Sequence, residues 1–263
     1  MKNHEIDYKL FGEEMQCVEV ELDPQEAVIA EPGSFMMMND GIQMQTLFGD
    51  GNQTGFINKL FSAGKRMLTG ENLFMTVYTN VSHDRRRITF AAPYTGKIIP
   101  MDLSVLGEKI ICQKDSFLCA AKGVSIGIEF QKKLGTGLFG GEGFIMQKLE
   151  GDGMAFVHSG GHVIEKDLHP GELLKVDTGC IVAFTSTVDY DIQFIGGIKN
   201  TLFGGEGVFY AALRGPGKVW IQTLPISRLA GRILAYGSGG RKEEGSILGG
   251  LGNLFDGVGI WYY

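Results

Sequence analysis

The chain has 263 residues, 44% of them apolar and 21% charged, enough for a sizeable core in one large domain or two ordinary ones. Its net charge of −6 argues against a general nucleic-acid binder, which usually presents a basic face. No apolar run reaches the ~18 residues a membrane-spanning helix needs, and forty glycines with seven prolines suit many short strands joined by turns.

Residues 1–8 carry Glu5 and Asp7 ahead of any apolar run, so they do not read as a signal peptide. The first extended unit is expected over residues 8–100. Within it Gln25-Glu26 leads to Gly33-Ser34, and Leu68-Thr69-Gly70-Glu71 precedes a strand over 73–78. A charged turn over 83–87, with Arg85, Arg86 and Arg87 as a solvated tip, precedes a further strand over 88–90. Met36, Met37, Met38 and Met44 read as adaptable core or interface filler.

This first unit contains the one segment predicted to be helical, residues 54–68. Thr54 can cap it, and Phe56, Ile57, Leu60, Phe61, Gly64, Met67 and Leu68 fall on one face, opposite Lys59, Lys65 and Arg66. Such a helix is expected to cap an open end of the β-domain or pack on a neighbouring subunit. The alternative is peripheral contact with an anionic membrane.

The second unit, over 101–165, and the third, over 166–236, repeat one another at a spacing of 64 residues. Leu138-Phe139-Gly140-Gly141-Glu142-Gly143 returns as Leu202-Phe203-Gly204-Gly205-Glu206-Gly207, and Gly107-Glu108 returns as Gly171-Glu172. In the third unit strands are expected over 172–176, 181–184 and 189–195, the last with Tyr190, Ile192 and Phe194 on one face. The first unit is a diverged copy of the same pattern. The fold expected is therefore all-β: three internal repeats of a small β-sandwich-like unit packed with pseudo-threefold symmetry in one domain over 1–236. Residues 237–263 read as a Gly-rich linker and an apolar tail that needs a surface, on its own chain or on another subunit.

Candidate chemistry is sparse. The Gly-Gly-Glu-Gly stretches lack the lysine and the following helix of a phosphate loop and read as turns. His158 and His162 flank Ser159-Gly160-Gly161, where two glycines break any helix that could align them on a metal, and a surface turn is expected. Cys17, Cys112, Cys119 and Cys180 are widely spaced, the pattern of reduced structural thiols. Glu71, Glu142 and Glu206 hold one place in the three copies. They are candidates for a cation site at a shared axis, or more simply acceptors for nearby turn amides.

Several of these segments resemble a known family. Residues 65–68 running into Gly70-Glu71-Asn72-Leu73-Phe74, the later copies at 141–144 and 205–209, and residues 171–184 and 188–192 are similar to an uncharacterised family. It includes bacterial proteins and the mitochondrial-biogenesis proteins named for altered inheritance of mitochondria. The resemblance, over about residues 8–236, implies a β-fold similar to the tryptophan-RNA-binding attenuator protein and self-assembly, with a trimer as first expectation. It carries over no catalytic residue.

The expectation is thus a non-enzymatic, self-assembling β protein of the bacterial cytoplasm with no cofactor, no catalytic residue and no nucleic-acid partner. It would act as a scaffold or a module for an unknown protein partner. The alternative is a small-ligand or cation-binding protein with a site near the internal axis.

Overall fold

The structure is a computed structural model that describes residues 6–48, 74–132, 144–194 and 209–237. The predicted helix over 54–68, Glu71, Glu142, Glu206 and the tail over 238–263 lie outside the described residues. Contacts divide the chain into one unit over Met1–Ser227 and another over Arg228–Tyr263.

The first unit is built of antiparallel strands. In chain order they are β1 (Asp7–Phe11), β2 (Cys17–Leu22), β3 (Ala27–Ala30), β4 (Phe35–Met38), β5 (Ile42–Phe48), β6 (Phe74–Asn80) and β7 (Arg86–Ala91). Next come β8 (Gly96–Asp102), β9 (Lys109–Gln113), β10 (Phe117–Ala121), β11 (Ser125–Lys132), β12 (Phe144–Glu150) and β13 (Met154–Gly160). The last are β14 (Val163–Leu168), β15 (Leu173–Asp177), β16 (Ile181–Thr185), β17 (Asp189–Phe194), β18 (Phe209–Arg214) and β19 (Gly217–Gln222). Short 3-10 turns at Lys114–Ser116 and Thr178–Cys180 lead into β10 and β16.

These strands form four sheets. Two have six strands each, in the orders β5-β6-β3-β10-β13-β8 and β11-β12-β9-β16-β19-β14; a four-stranded sheet runs β1-β2-β7-β4 and a three-stranded one β15-β18-β17. One register shift recurs: it falls between Phe35 and Met37 in β4, Phe117 and Cys119 in β10, and Ile181 and Ala183 in β16. A bulge of this kind sharpens the local twist and re-aims the following side chains.

Alternation decides what is buried. In β2, Val18, Val20 and Leu22 face inward while Cys17, Glu19 and Glu21 are half-buried. A larger core gathers Val18, Val20, Ile29, Phe90, Phe156 and Ile110 among others. A second, around Ile111, Phe144, Phe184, Leu213 and Val219, joins residues of the second six-stranded sheet to β15, β17 and β18. Each fully buried Phe contributes roughly 1.5–3 kcal/mol of transfer free energy. The charged tip behaves as its composition suggests: Arg85 pairs with Glu21 at 3.0 Å and Arg87 with Glu21 at 2.8 Å, across the β2–β7 ladder.

The described helix differs from the expected one. It is α1 (Ile226–Gly237), directly after Pro225. Proline pre-sets the backbone for a first helical turn, and Ile226, Leu229, Ala230, Ile233 and Leu234 recur at helical spacing.

One turn repeats in detail. Glu26 accepts a hydrogen bond from the Asp23 N–H at 2.7 Å, and Glu172 accepts one from the His169 N–H at 2.8 Å. The residue before each glutamate is left-handed: Gly171 has φ 79° and Gln25 has φ 71°. A side chain there is strained by about 1 kcal/mol, partly offset by the greater freedom glycine has when unfolded. Gln25→Gly is therefore expected to raise stability by up to about 1 kcal/mol, read as a higher denaturation midpoint in urea; a lower midpoint would contradict the assignment of strain at Gln25.

Candidate functional site

Two places in the first unit stand out, a set of buried polar groups and an uncovered strand. The polar groups lie where β3, β9 and β12 meet the core. Glu31 follows β3, and its Oε2 is buried with no hydrogen-bond partner. Burial pushes its carboxyl up to about 7, with Lys114 opposing and Asp115 adding to the shift. Cys112 feels both burial and the Glu31 charge and is pushed up to about 12; burial raises Cys119 as well. These two thiols are protonated at neutral pH and are not nucleophiles. Gln147, opposite Cys112 in the β9–β12 ladder, is fully buried with both amide atoms unpartnered.

His158 is a correction to the surface turn expected from its glycine neighbours. It lies inside β13 and is only 1% exposed. Its Nε2 donates to the Tyr94 carbonyl at 3.0 Å, and its ring meets the Tyr94 ring edge-on. Burial pulls it down to about 4, so it is neutral and its buried Nδ1 is left as an unpartnered acceptor. His162 is exposed, beyond the end of that strand, so the two histidines do not converge. Gln222, at the matching place one repeat spacing later, accepts from the Gly160 N–H at 2.7 Å and donates to the Gly179 carbonyl at 2.8 Å. Among the described residues no group of three or more His, Cys, Asp or Glu side chains could hold a metal ion. Cys17 and Cys180 are half-buried, and none of the four cysteines forms a disulfide.

The uncovered strand is β4. Phe35, Met36, Met37 and Met38 are 40, 54, 52 and 39% exposed, although each is a large apolar side chain. The strand pairs with β7 on one side, and among the described residues its other edge has no strand beside it. The Phe35 ring stacks on Tyr78 at 5.6 Å. At the end of the three-stranded sheet β15 is in the same condition: among the described residues it pairs with β18 alone, and it exposes Leu173. Edge strands are normally protected by charge, proline or shortness, and the Phe-Met-Met-Met sequence of β4 has neither charge nor proline. The methionine run was visible in the sequence as filler; its place on an edge was not. Glu31 and Gln147 gave no sequence signal at all.

The buried titrating groups predict two opposed pH limbs. The Glu31 carboxyl is raised in the folded chain, so its contribution is complete below about 4.5 and is lost as pH rises through about 7. The His158 imidazole is depressed, so its contribution is present above about 6.5 and is lost as pH falls through about 4. Thermal melting of Glu31→Gln between pH 4.5 and 8 should lose the alkaline decline, and His158→Gln, which installs the Gln222 solution, should lose part of the acid decline. Melting curves that keep the native pH profile in both variants would contradict these assignments.

Comparison with known proteins supplies the family. The model of the mitochondrial biogenesis AIM24 family matches residues 8–224. An uncharacterised protein of Streptococcus pyogenes serotype M6 is 30% identical over 223 residues, covering 83% of this chain and 86% of its own. The crystal structure of a Streptococcus pyogenes protein superposes with a TM-score of 0.69 at 22% identity, covering 88% of this chain and 99% of that one, which shows a shared fold. With four-fifths of its length matched by the family model, the chain belongs to the mitochondrial biogenesis AIM24 family.

Proposed function

We propose that this chain is a non-enzymatic β protein that assembles with itself and serves as a scaffold or partner-binding module. The observation that carries the reading is the exposed β4 edge, four large apolar side chains in a row on a strand that, among the described residues, is paired on one side alone. A monomer with that edge in water would pair with other chains indiscriminately, whereas a defined assembly covers it.

The reading takes the first unit as three copies of one β module arranged with pseudo-threefold symmetry, similar to the fold of the tryptophan-RNA-binding attenuator protein. Its support is the bulge that recurs in β4, β10 and β16, and the matched Glu26 and Glu172 turns. A trimer is the assembly proposed first, in a cytoplasmic setting. Among the described residues no helix is long and apolar enough to cross a membrane.

The test is solution mass by light scattering on the native chain and on Met36→Lys/Met38→Lys. Both side chains face water in the single chain, so the substitutions leave its fold intact, while in an assembly each would bury an ammonium group. The native chain should run as a defined multimer and the double variant as a folded monomer of 28.7 kDa, with its strand circular dichroism unchanged. A native monomer at all concentrations would overturn the proposal.

A further inference from the structure

The pairings inside the chain specify what the open edge of β4 lacks. β10 and β16 each carry the same bulge as β4. Each pairs on one side with a strand equivalent to β7, namely β13 and β19. On its other side β10 is covered by β3, and β16 by β9. By sequence spacing β3 and β9 have one further counterpart, β15, and that strand too has an open edge. The two sets of six are complete and the third is split into its halves, with β4 at the end of one half and β15 at the end of the other.

We infer that β15 of a second copy docks antiparallel on β4, fusing the four-stranded sheet of one chain and the three-stranded sheet of the next into one continuous sheet. The inference rests on the self-assembly reading and names the surface that performs it. The register follows from the two internal junctions. Ala120 lies opposite Ile29 in one and Phe184 opposite Ile111 in the other. The same alignment sets Met38 opposite Lys175 and Met37 opposite Val176. The internal junction also bonds the Glu31 N–H to the Leu118 carbonyl at 3.0 Å, which assigns a bond from the Asp177 N–H to the Met36 carbonyl of the neighbouring copy.

Burial follows the same correspondence. Leu118 and Ala120 of β10 are 2 and 0% exposed, against 54 and 39% for Met36 and Met38 at the matching places of β4. What distinguishes these strands is the covering neighbour, since all are apolar. Because the two surfaces differ, each copy offers one β4 and one β15, and the contact is head-to-tail; closing it makes a ring. A two-fold dimer would instead set β4 against β4, a pairing that neither internal junction uses.

Two variants that each add one cysteine to the native four, Met38→Cys and Lys175→Cys, co-expressed with different affinity tags, test this. Both sites are exposed in the single chain, so folding is preserved. Directly opposed residues of an antiparallel pair have Cα atoms about 4.5–5.5 Å apart, within the range a disulfide accepts. Mild oxidation, peptide mapping and light scattering on the same sample give the readout. The expected result is a dominant 38–175 disulfide, which joins two chains because neither variant holds both added cysteines. A dominant 38–38 or 175–175 product overturns the head-to-tail pairing in favour of a two-fold contact. A multimer with none of these products overturns the pairing and leaves self-assembly standing. A monomer without cross-links overturns both.

Discussion

Backbone hydrogen bonding at strand edges governs this molecule. Every strand must satisfy its N–H and C=O groups on both sides or leave one side to water. The six-stranded sheets solve this for β3, β9, β10 and β16 by setting each between two neighbours. Apolar side chains on those central strands are then buried on both faces, which is why β10 reads Phe-Leu-Cys-Ala-Ala without polar alternation. β4 has a sequence of the same kind in an edge position, so its side chains meet solvent. The open strand and the closed ones are one solution met with and without a covering neighbour, and the proposed assembly supplies that neighbour.

The buried polar groups fit a structural role. Gln222 ties the end of β13 to the Thr178–Cys180 turn through two hydrogen bonds, and His158, at the matching place, holds the Tyr94 carbonyl. Glu31 stands at the β3–β10 junction, where its own N–H bonds across to Leu118. A carboxyl with no partner for one oxygen is retained there at a cost in stability that varies with pH, as burial of a charge requires. Cys112 beside it is held as a thiol, so the pair stores a proton and offers no nucleophile.

Much of the fold is legible in the sequence because local patterns carry it. Tyr190 and Ile192 alternate with Asp189, Asp191 and Gln193, and the structure pairs this segment as β17. Ile181 to Phe184 and the segment after Glu172 emerge as β16 and β15. The turns at Gln25-Glu26 and Gly171-Glu172 are readable as a repeated spacing, but the capping role of their glutamates is not: the sequence points for that role to Glu71, Glu142 and Glu206, outside the described residues. Long-range facts are not written locally. Nothing within Phe35-Met36-Met37-Met38 says whether a strand lies beside it, and a buried His158 looks like a turn residue until β8 and β13 are paired. The helix α1 is not legible for a different reason: Gly231 interrupts its pattern, and Pro225 reads as a stop before it reads as a start.

The central claim is that the open edges of β4 and β15 are covered in the native assembly. Amide hydrogen exchange of the full chain, followed by mass spectrometry at a concentration where scattering shows a multimer, tests it most directly. The account predicts that β4 and β15 amides are protected to the level of β10 and β9, and that their protection falls selectively on dilution to monomer. Fast exchange in β4 and β15 beside a protected β10 and β9, in the multimer itself, would contradict it.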